Sequence, residues 1–258
     1  MSELRALLFD VDGTLAETER DGHRAAFNQA FGEHRLPWHW SERLYGALLA
    51  VTGGKERITH YAAEYDPDWL AKPGAEAAIA AIHASKNRHY QDLLRNSGIA
   101  LRRGLRPLLA EARTAGLQLG IVTTTSRGNL DSLLAATLDA DTRDAFRVRV
   151  AGEDVSRKKP DPECYARALA ALKLPPEQAL AVEDSRNGLL AARGAGLQVL
   201  IVRSFYFAEE DFGEAFAVAD DFRDLRLTEL RRRFERHCGD PVSDTTHFSV
   251  VPDTVLVQ

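Results

Sequence analysis

Short apolar runs that predict buried strands recur along the chain, and all but the first lie beyond residue 99. Segments with helical spacing of their apolar positions separate the later runs. The predicted strands are 4–9, 117–123, 146–151, 179–182, 197–202 and 216–219, and the predicted helices are 107–115, 129–137, 161–172, 186–195 and 222–234. Strands that alternate with helices of this length predict a parallel sheet covered by helices on both faces.

Residues 17–91 break this alternation. The segment is rich in Ala, His, Arg and Glu, shows no strand pattern, and is divided into several helices by Pro37, Pro67 and Pro73. We therefore predict an α/β fold with a Rossmann-like parallel sheet core and an inserted all-helical domain, here called the cap. The predicted boundaries are 1–16 and 96–237 for the core, 17–95 for the cap and 238–258 for a C-terminal tail with one strand at most.

Composition and charge narrow the class of protein. The 258 residues carry 33 basic and 38 acidic side chains, and this balance argues against a general nucleic-acid-binding protein. The two cysteines, Cys164 and Cys238, do not resemble a disulfide framework and are interpreted as reduced thiols. No apolar run approaches the roughly 20 residues of a membrane span, and residues 1–5 lack a signal-peptide pattern. We therefore expect a cytoplasmic protein with no membrane partner.

Polar motifs follow four of the predicted strands. In open α/β sheets, ligands bind beyond the carboxyl ends of the strands, so these motifs are candidates for the functional site. In chain order they are 10–14 (Asp-Val-Asp-Gly-Thr), 123–126 (Thr-Thr-Thr-Ser), 156–161 (Ser-Arg-Lys-Lys-Pro-Asp) and 183–188 (Glu-Asp-Ser-Arg-Asn-Gly). Each has a structural alternative, because acidic residues cap helices, threonines suit strands and a Lys-Lys pair is usually solvated. Their order, each at a strand end, favours one shared site.

The four motifs together match the chemistry of phosphoryl transfer. Asp10 and Asp12 lie two residues apart, so in an extended backbone they point the same way and can converge beyond the strand. Two carboxylates at such a short distance raise each other's proton affinity unless a cation separates them. Mg²⁺ could be that cation, because it prefers oxygen ligands. Hydroxyls, an ammonium group and N–H groups at helix starts bind phosphate oxygens. The residues therefore indicate a magnesium-assisted reaction on a phosphate.

The same motifs carry a family resemblance. The chain resembles the haloacid dehalogenase-like hydrolase superfamily over about residues 4–225, through Asp10–Thr14, Thr123, Lys159-Pro160 and Glu183-Asp184. Within that superfamily it is most similar to the CbbY-like phosphatases of Calvin-cycle operons, through residues 9–19, 52–58 and 123–126. This resemblance implies a magnesium-dependent phosphatase that acts on a sugar bisphosphate. It suggests xylulose 1,5-bisphosphate, a misfire product that inhibits rubisco.

The resemblance also assigns roles in catalysis. It makes Asp10 the nucleophile, which forms an aspartyl-phosphate, and Asp12 the general acid and then the base. The presence of Asp12 argues against a dehalogenase, in which this second aspartate is typically absent. Lys159 is expected to supply positive charge, because the family places this lysine directly before a proline. Lys158 is interpreted as a surface residue.

Phosphate and metal ligands follow from the same resemblance. The Thr123 hydroxyl and the Thr124 backbone N–H are expected to hold phosphate oxygens. The expected magnesium ligands are Asp10, Asp12 through its backbone carbonyl, Glu183 (directly or through water) and Asp184.

The cap supplies the candidates for substrate specificity. Gly53 and Gly54 allow a loop to approach a ligand closely, and Lys55 and Arg57 could hold a second phosphate. The alternative is a Gly-Gly turn before a helix with an exposed basic face. Glu17 is placed at the boundary of core and cap, where it is expected either to contact substrate hydroxyls or to start a helix.

Cap closure over a substrate requires hinges, which we expect near Leu15–Thr18 and Asn96–Leu101. His23 lies shortly after the first of these, one residue beyond Gly22. Since glycine weakens a helix, we interpret His23 as a packing residue rather than a catalytic one.

Other functions share some of these features. A β-phosphoglucomutase-like enzyme would transfer the phosphoryl group to a sugar hydroxyl instead of water. A phosphoglycolate phosphatase would leave Lys55 and Arg57 without a clear role. A non-catalytic binding protein would lack some of the catalytic residues, but Asp10, Asp12, Thr123, Lys159 and Asp184 are all present. We expect a monomer that acts on a small sugar phosphate.

Overall fold

A parallel β-sheet forms the centre of the molecule. The computed structural model describes residues 3–96, 98–239 and 246–247, with side chains described up to residue 237. Within these residues the sheet has seven strands in the order β3-β2-β1-β4-β5-β6-β7, all parallel. They are β1 Ala6–Phe9, β2 Gln118–Val122, β3 Phe146–Val150, β4 Ala179–Glu183, β5 Gln198–Val202, β6 Ala217–Ala219 and β7 Thr246–His247. The predicted Rossmann-like α/β fold is confirmed.

The first strand occupies the middle of the sheet because it is apolar on both faces. All four residues of β1 are fully buried, and the strand pairs with β2 on one side and β4 on the other. Successive side chains alternate between two hydrophobic clusters, Leu7 and Phe9 in one and Ala6 and Leu8 in the other. A continuous apolar run is what a central parallel strand requires.

Helices flank the sheet and also fill the segment between β1 and β2. The first helix is preceded by a π-helical turn, Glu19–Arg24. The helices are α1 Ala25–Glu33, α2 Glu42–Leu48, α3 Gly54–Tyr65, α4 Pro67–Leu70, α5 Ala75–Asn96, α6 Leu105–Thr114, α7 Arg127–Thr137, α8 Ala140–Asp144, α9 Glu163–Leu172, α10 Arg186–Gly194 and α11 Leu227–Gly239. No helix in the described ranges is long and apolar enough to cross a membrane.

The helices divide between three hydrophobic clusters. Residues of α6, α7 and α11 pack with Leu7 and Phe9 on one face of the sheet, and residues of α9 and α10 pack on the other. Helices α1, α2, α3 and α5 contribute to a third cluster, which is centred on aromatic rings such as Phe27, Trp40 and Tyr45. The inserted segment therefore has a core of its own, while its exact boundaries stay a prediction.

Three local details differ from the sequence prediction. The last helix begins at Leu227 rather than 222, because Asp221 accepts a hydrogen bond from the backbone N–H of Arg223 and forms a turn there. Helix α9 begins at Glu163 rather than 161, because Asp161 accepts from the N–H of Glu163. The five-residue helix α8 was not predicted, since it is too short to show periodicity.

The two connections between sheet and cap lie side by side. Ala16 forms isolated bridges with Asp12 and with Leu101, and the N–H of Arg102 donates to the Leu15 carbonyl at 2.8 Å. The Arg102 guanidinium also donates to the carbonyl of Gly13 at 2.7 Å. Both connections between core and cap are thus hydrogen-bonded to each other at one place. This place contains the first predicted hinge, Leu15–Thr18, and the end of the second, Leu101.

Gly104→Ala is expected to destabilise the protein strongly, because it adds a clash to a strained backbone. Gly104 has φ +83°, and a Cβ there would lie 2.3 Å from the backbone carbon of Phe222. Gly116 has φ +73° and no atom within 4 Å of its Cβ position, so Gly116→Ala is the matched control. We expect losses in the free energy of unfolding of about 1 kcal/mol for Gly116→Ala and about 2–4 kcal/mol for Gly104→Ala, measured by urea denaturation. Equal losses would show that the Phe222 contact is unimportant.

Candidate active site

The four polar motifs meet at the carboxyl edge of the sheet, as the topology requires. Asp10 follows β1 directly, Thr123 follows β2, and Glu183 ends β4. Lys159 comes from the loop after β3. Because β2, β1 and β4 are neighbours in the sheet, their ends place these side chains around one point.

Lys159 is the centre of a buried charge network. Its Nζ donates to Asp10 Oδ1 at 2.6 Å, to Glu183 Oε1 at 2.6 Å and to the carbonyl of Val122 at 2.8 Å. Burial would lower the pKa of Lys159, but the two carboxylates outweigh it and raise that pKa above its ordinary value. The structure thus places a permanently charged Lys159, rather than Lys158, against Asp10.

Three carboxylates crowd together beside this lysine. Oxygens of Asp10, Glu183 and Asp184 all lie within 4.8 Å of one another, and all three side chains are buried. Burial raises the pKa of Asp184 well above its ordinary value, and the charges of Asp10 and Glu183 raise it further. Burial likewise raises the pKa of Asp10, although Lys159 opposes this shift.

The chemistry of this acidic cluster fits a hard divalent cation. Among the described residues, buried Glu183 Oε2 and Asp184 Oδ2 have no hydrogen-bond partner. Unpartnered buried carboxylate oxygens are costly, and an oxygen-liganded cation would satisfy them and cancel their repulsion. The Asp12 carboxylate is not a member of this cluster. Its expected contribution through the backbone carbonyl stays a prediction.

Two glycines make room for the cluster. Gly13 has φ +88°, and a Cβ there would lie 1.9 Å from Asp184 Oδ2. A Cβ at Gly188, in the first turn of α10, would lie 1.9 Å from Glu183 Oε2. Both carboxylates therefore occupy space that only glycine leaves free.

The Asp12 carboxylate faces the cap instead of the acidic cluster. Its Oδ1 accepts hydrogen bonds from the Thr18 hydroxyl at 2.5 Å and from His23 Nε2 at 2.9 Å. Burial would raise the pKa of Asp12, but His23 and Thr18 together lower it to about 2. Asp12 is therefore ionised at neutral pH in the absence of a ligand.

The histidine is held in turn by the cap helix α5. Lys86 Nζ lies 2.8 Å from His23 Nδ1, and the His23 ring stacks on Tyr90 with centroids 4.0 Å apart. An ammonium group can only donate, so Nδ1 accepts from Lys86 and Nε2 carries the proton given to Asp12. Burial lowers the pKa of Lys86 to about 8, which leaves it mostly charged at pH 7.

His23 therefore packs against Tyr90 but also contacts Asp12, which the sequence interpretation did not foresee. The signal was in the neighbouring Gly22, where a Cβ would lie 2.9 Å from a Tyr90 ring carbon. That glycine does not merely weaken a helix: it lets α5 approach closely enough to bring Lys86 and Tyr90 to the His23 ring.

A cavity of about 360 Å³ lies between the loops of the core and the cap, and we call it the chamber. Asp12 and His23 line one part of it. The cap residues that line it include the predicted Gly53, Gly54, Lys55 and Arg57 as well as Glu19, His83 and Lys86. A second cavity, of about 60 Å³, is lined by Asp10, Asp12, Thr123, Thr124, Lys159 and Asp184, among others. Both cavities are lined by Asp12, Glu19, Arg57 and Thr124, so they are two layers of one site. The chamber is the upper layer, and the smaller cavity is called the lower cavity or lower layer.

Arg57 reaches the chamber but is largely occupied by the cap itself. Its guanidinium donates to the carbonyls of Leu48 and Val51 and to the Tyr45 hydroxyl, at 3.0–3.3 Å. Lys55, by contrast, has an exposed side chain. Of the two predicted binders of a second phosphate, the geometry favours Lys55, and Arg57 mainly shapes the loop before α3.

Glu17 is not brought to the chamber. It pairs with Arg102 at 3.0 Å and lines a separate cavity with Arg203 and Ser204. Glu19, two residues later, lines the chamber and accepts a hydrogen bond from the Tyr45 hydroxyl at 2.5 Å. Glu17 and Glu19 both lie at the start of the cap. Only the position of the π-helical turn, which begins at Glu19, shows that Glu19 and not Glu17 faces the chamber.

The chain belongs to the haloacid dehalogenase-like hydrolase family, whose family model matches residues 4–196. It is 45% identical to the protein CbbY of Rhodobacter capsulatus over 213 residues, which is 83% of this chain and 91% of that protein. The crystal structure of CbbY from Rhodobacter sphaeroides in complex with phosphate is similar with a TM-score of 0.82 and 43% identity, covering 88% of this chain and 99% of that one. The same figures hold for a mutant of that protein in complex with xylulose-(1,5)-bisphosphate. The predicted class, a phosphatase of this family similar to CbbY, is confirmed.

Gly188→Ala is expected to damage activity without damaging α10. The added methyl displaces the Glu183 carboxylate, and with it the contacts to Lys159 and the Tyr165 hydroxyl. We expect phosphate release from an aryl phosphate to fall at least about tenfold, because small displacements in a catalytic site are costly. Gly32→Ala, in α1 with no atom within 4 Å, is the control and should keep full activity. A fully active Gly188→Ala enzyme would contradict the importance of the Glu183 position.

Proposed function

We propose that this enzyme is a magnesium-dependent phosphatase of a sugar bisphosphate, xylulose 1,5-bisphosphate, that acts through an aspartyl-phosphate on Asp10. The observation that carries this proposal is the two-layered site. A nucleophile with its lysine lies beside an acidic cluster in one layer, and a chamber with a free cation, Lys55, forms the other. Similarity to CbbY, which was crystallised with this sugar bisphosphate, supports the choice of substrate.

The acidic cluster would hold the magnesium ion. Asp10, Glu183 and Asp184 offer the side-chain oxygens, and the backbone carbonyl of Asp12 is the further predicted ligand. When bound, the ion neutralises charge on the phosphate and on the carboxylates that face it.

Asp10 is proposed as the nucleophile because Lys159 holds one of its two carboxylate oxygens. The Asp10 carboxylate attacks phosphorus, the bond from phosphorus to the sugar oxygen breaks, and the sugar leaves as an alkoxide that takes up a proton. Lys159 counters the negative charge that accumulates on the transferring group. The Thr123 hydroxyl and the Thr124 N–H are proposed to hold its oxygens, since both residues line the lower cavity.

Asp12 is proposed to give the leaving oxygen its proton and then to remove one from water. The free carboxylate is ionised, so it must first gain a proton. A phosphate dianion that arrives beside it raises its pKa by like-charge repulsion. Once it has given up this proton, Asp12 is again a carboxylate and can accept a proton from the water that attacks the aspartyl-phosphate. His23, which accepts from Lys86, keeps the Asp12 carboxylate oriented through its hydrogen bond.

The first test is release of inorganic phosphate from xylulose 1,5-bisphosphate in the presence of Mg²⁺. Wild-type enzyme should release one phosphate per sugar, and Asp10→Asn should reduce the rate by at least about 10³-fold because no nucleophile remains. Asp141→Asn, at an exposed position of α8, is the matched control and should retain the wild-type rate. Isomerisation of a sugar monophosphate without phosphate release would instead support the mutase alternative.

Metal binding can be tested apart from activity. Because Mg²⁺ should bind the folded acidic cluster only, it should raise the melting temperature of EDTA-treated protein in a concentration-dependent way. Asp184→Asn removes one ligand and should abolish most of that shift, whereas Asp141→Asn should not. A wild-type protein whose melting temperature ignores Mg²⁺ would contradict the proposed ligand set.

His23→Ala tests the proposed link between the cap and Asp12. Loss of the His23 hydrogen bond should lower kcat by about 10–100-fold, while Mg²⁺ still shifts the melting temperature because the acidic cluster is intact. Loss of both properties would indicate a general structural defect.

The cytoplasmic location and the monomeric state stay predictions.

A further inference from the structure

Lys158, interpreted from the sequence as a surface residue, faces the chamber. Its side chain is 28% exposed and lines the same cavity as Lys55. Its neighbour Lys159 points instead to Asp10 and Glu183 in the lower layer. The two adjacent lysines therefore serve different layers of the site.

Lys158 is held by a carboxylate of the cap. Its Nζ donates to Glu56 Oε1 at 2.5 Å, which joins the loop after β3 to the first turn of α3. Gly53 leaves room for this pair, since a Cβ there would lie 2.2 Å from Glu56 Oε2 and 2.7 Å from Lys158 Nζ. Burial would raise the pKa of Glu56, but the hydrogen bond from Lys158 lowers it below its ordinary value. The carboxylate is thus an anion at neutral pH.

Glu56 places this anion in the layer where a second phosphate is proposed to bind. Its side chain is 48% exposed, and ion pairs with such exposure contribute little, so a better anion can replace it. A phosphate dianion carries more charge than a carboxylate and offers three strong acceptor oxygens. Lys55, one residue before Glu56, supplies a second cation at the same cavity.

We propose that Lys158 is a specificity-determining residue for bisphosphates, and that Glu56 is a built-in competitor that occupies it until the second phosphate of a substrate arrives. This proposal rests on the proposed function, because it requires a substrate with two phosphates. A monophosphate has no group that can take Lys158 from Glu56, so it gains nothing from this lysine. A bisphosphate exchanges a weak internal ion pair for a stronger one.

The test compares two substrates of one enzyme, xylulose 1,5-bisphosphate and p-nitrophenyl phosphate. The measured quantity is the ratio of kcat/KM for the bisphosphate to kcat/KM for the monophosphate. Lys158→Met should lower this ratio about tenfold, mainly through KM for the bisphosphate, because a charge-assisted contact is lost. Lys158→Arg keeps the positive charge and should therefore retain most of the wild-type ratio. Glu56→Gln should raise it, by about threefold, because the competing anion is gone.

Arg157→Met is the matched control, since this neighbouring side chain is 72% exposed and pairs with Asp161 in its own loop. It should leave the ratio unchanged. Titration of the Asp10→Asn variant with the bisphosphate provides a binding measurement that does not depend on turnover. There, Glu56→Gln should tighten binding and Lys158→Met should weaken it.

The opposite signs of the two variants decide the proposal. If the Lys158–Glu56 pair only fastens the cap to the core, both variants will lower kcat/KM for both substrates and the ratio will not rise in Glu56→Gln. That result overturns the inference while leaving the proposed function intact. An enzyme that releases no phosphate from the bisphosphate, yet cleaves the aryl phosphate, overturns the proposed function itself.

Discussion

Repulsion among three buried carboxylates is the constraint around which the molecule is built. Asp10, Glu183 and Asp184 come from two neighbouring strands, so the sheet itself forces them together. Lys159 compensates part of the charge, and two glycines leave the volume that the carboxylates fill. Burial and this repulsion raise the pKa of Asp10 and of Asp184, so the arrangement favours a further cation beside them. The fold therefore favours a bound cation at the acidic cluster, which is where the proposed phosphoryl transfer requires one.

The cap does more than cover this site. Asp12 belongs to the core, but the residues that set its protonation, His23 and Lys86, come from the cap. The hydrogen bonds from Lys86 to His23 and from His23 to Asp12 therefore depend on the packing of α5 against the π-helical turn that carries His23. The ion pair of Lys158 and Glu56 spans the same boundary, because Lys158 lies in the core and Glu56 in the cap. The proposed substrate selection and the proposed proton transfer would thus both depend on the contact between core and cap.

The sequence predicted the parallel sheet and its strand-end motifs well, because both are local. Continuous apolar runs define β1 and β4, and the motifs follow directly in the chain. It could not predict contacts that depend on how distant helices pack. Lys86 lies 63 positions from its partner His23, and Glu17 and Glu19 are indistinguishable until the turn of the backbone between them is known. The contact of Lys158 could not be predicted for the same reason, since its partner Glu56 lies 102 positions away.

The paired crossings at Ala16 and Leu101 have an evolutionary consequence. Because Ala16 and Leu101 are bridged, the two ends of the inserted segment are neighbours in the folded core. An insertion whose ends meet imposes little chain-closure entropy on its host, so helices can be exchanged, lengthened or replaced there with the sheet undisturbed. Exchange of the inserted segment therefore offers a route to new substrate preferences on an unchanged catalytic core.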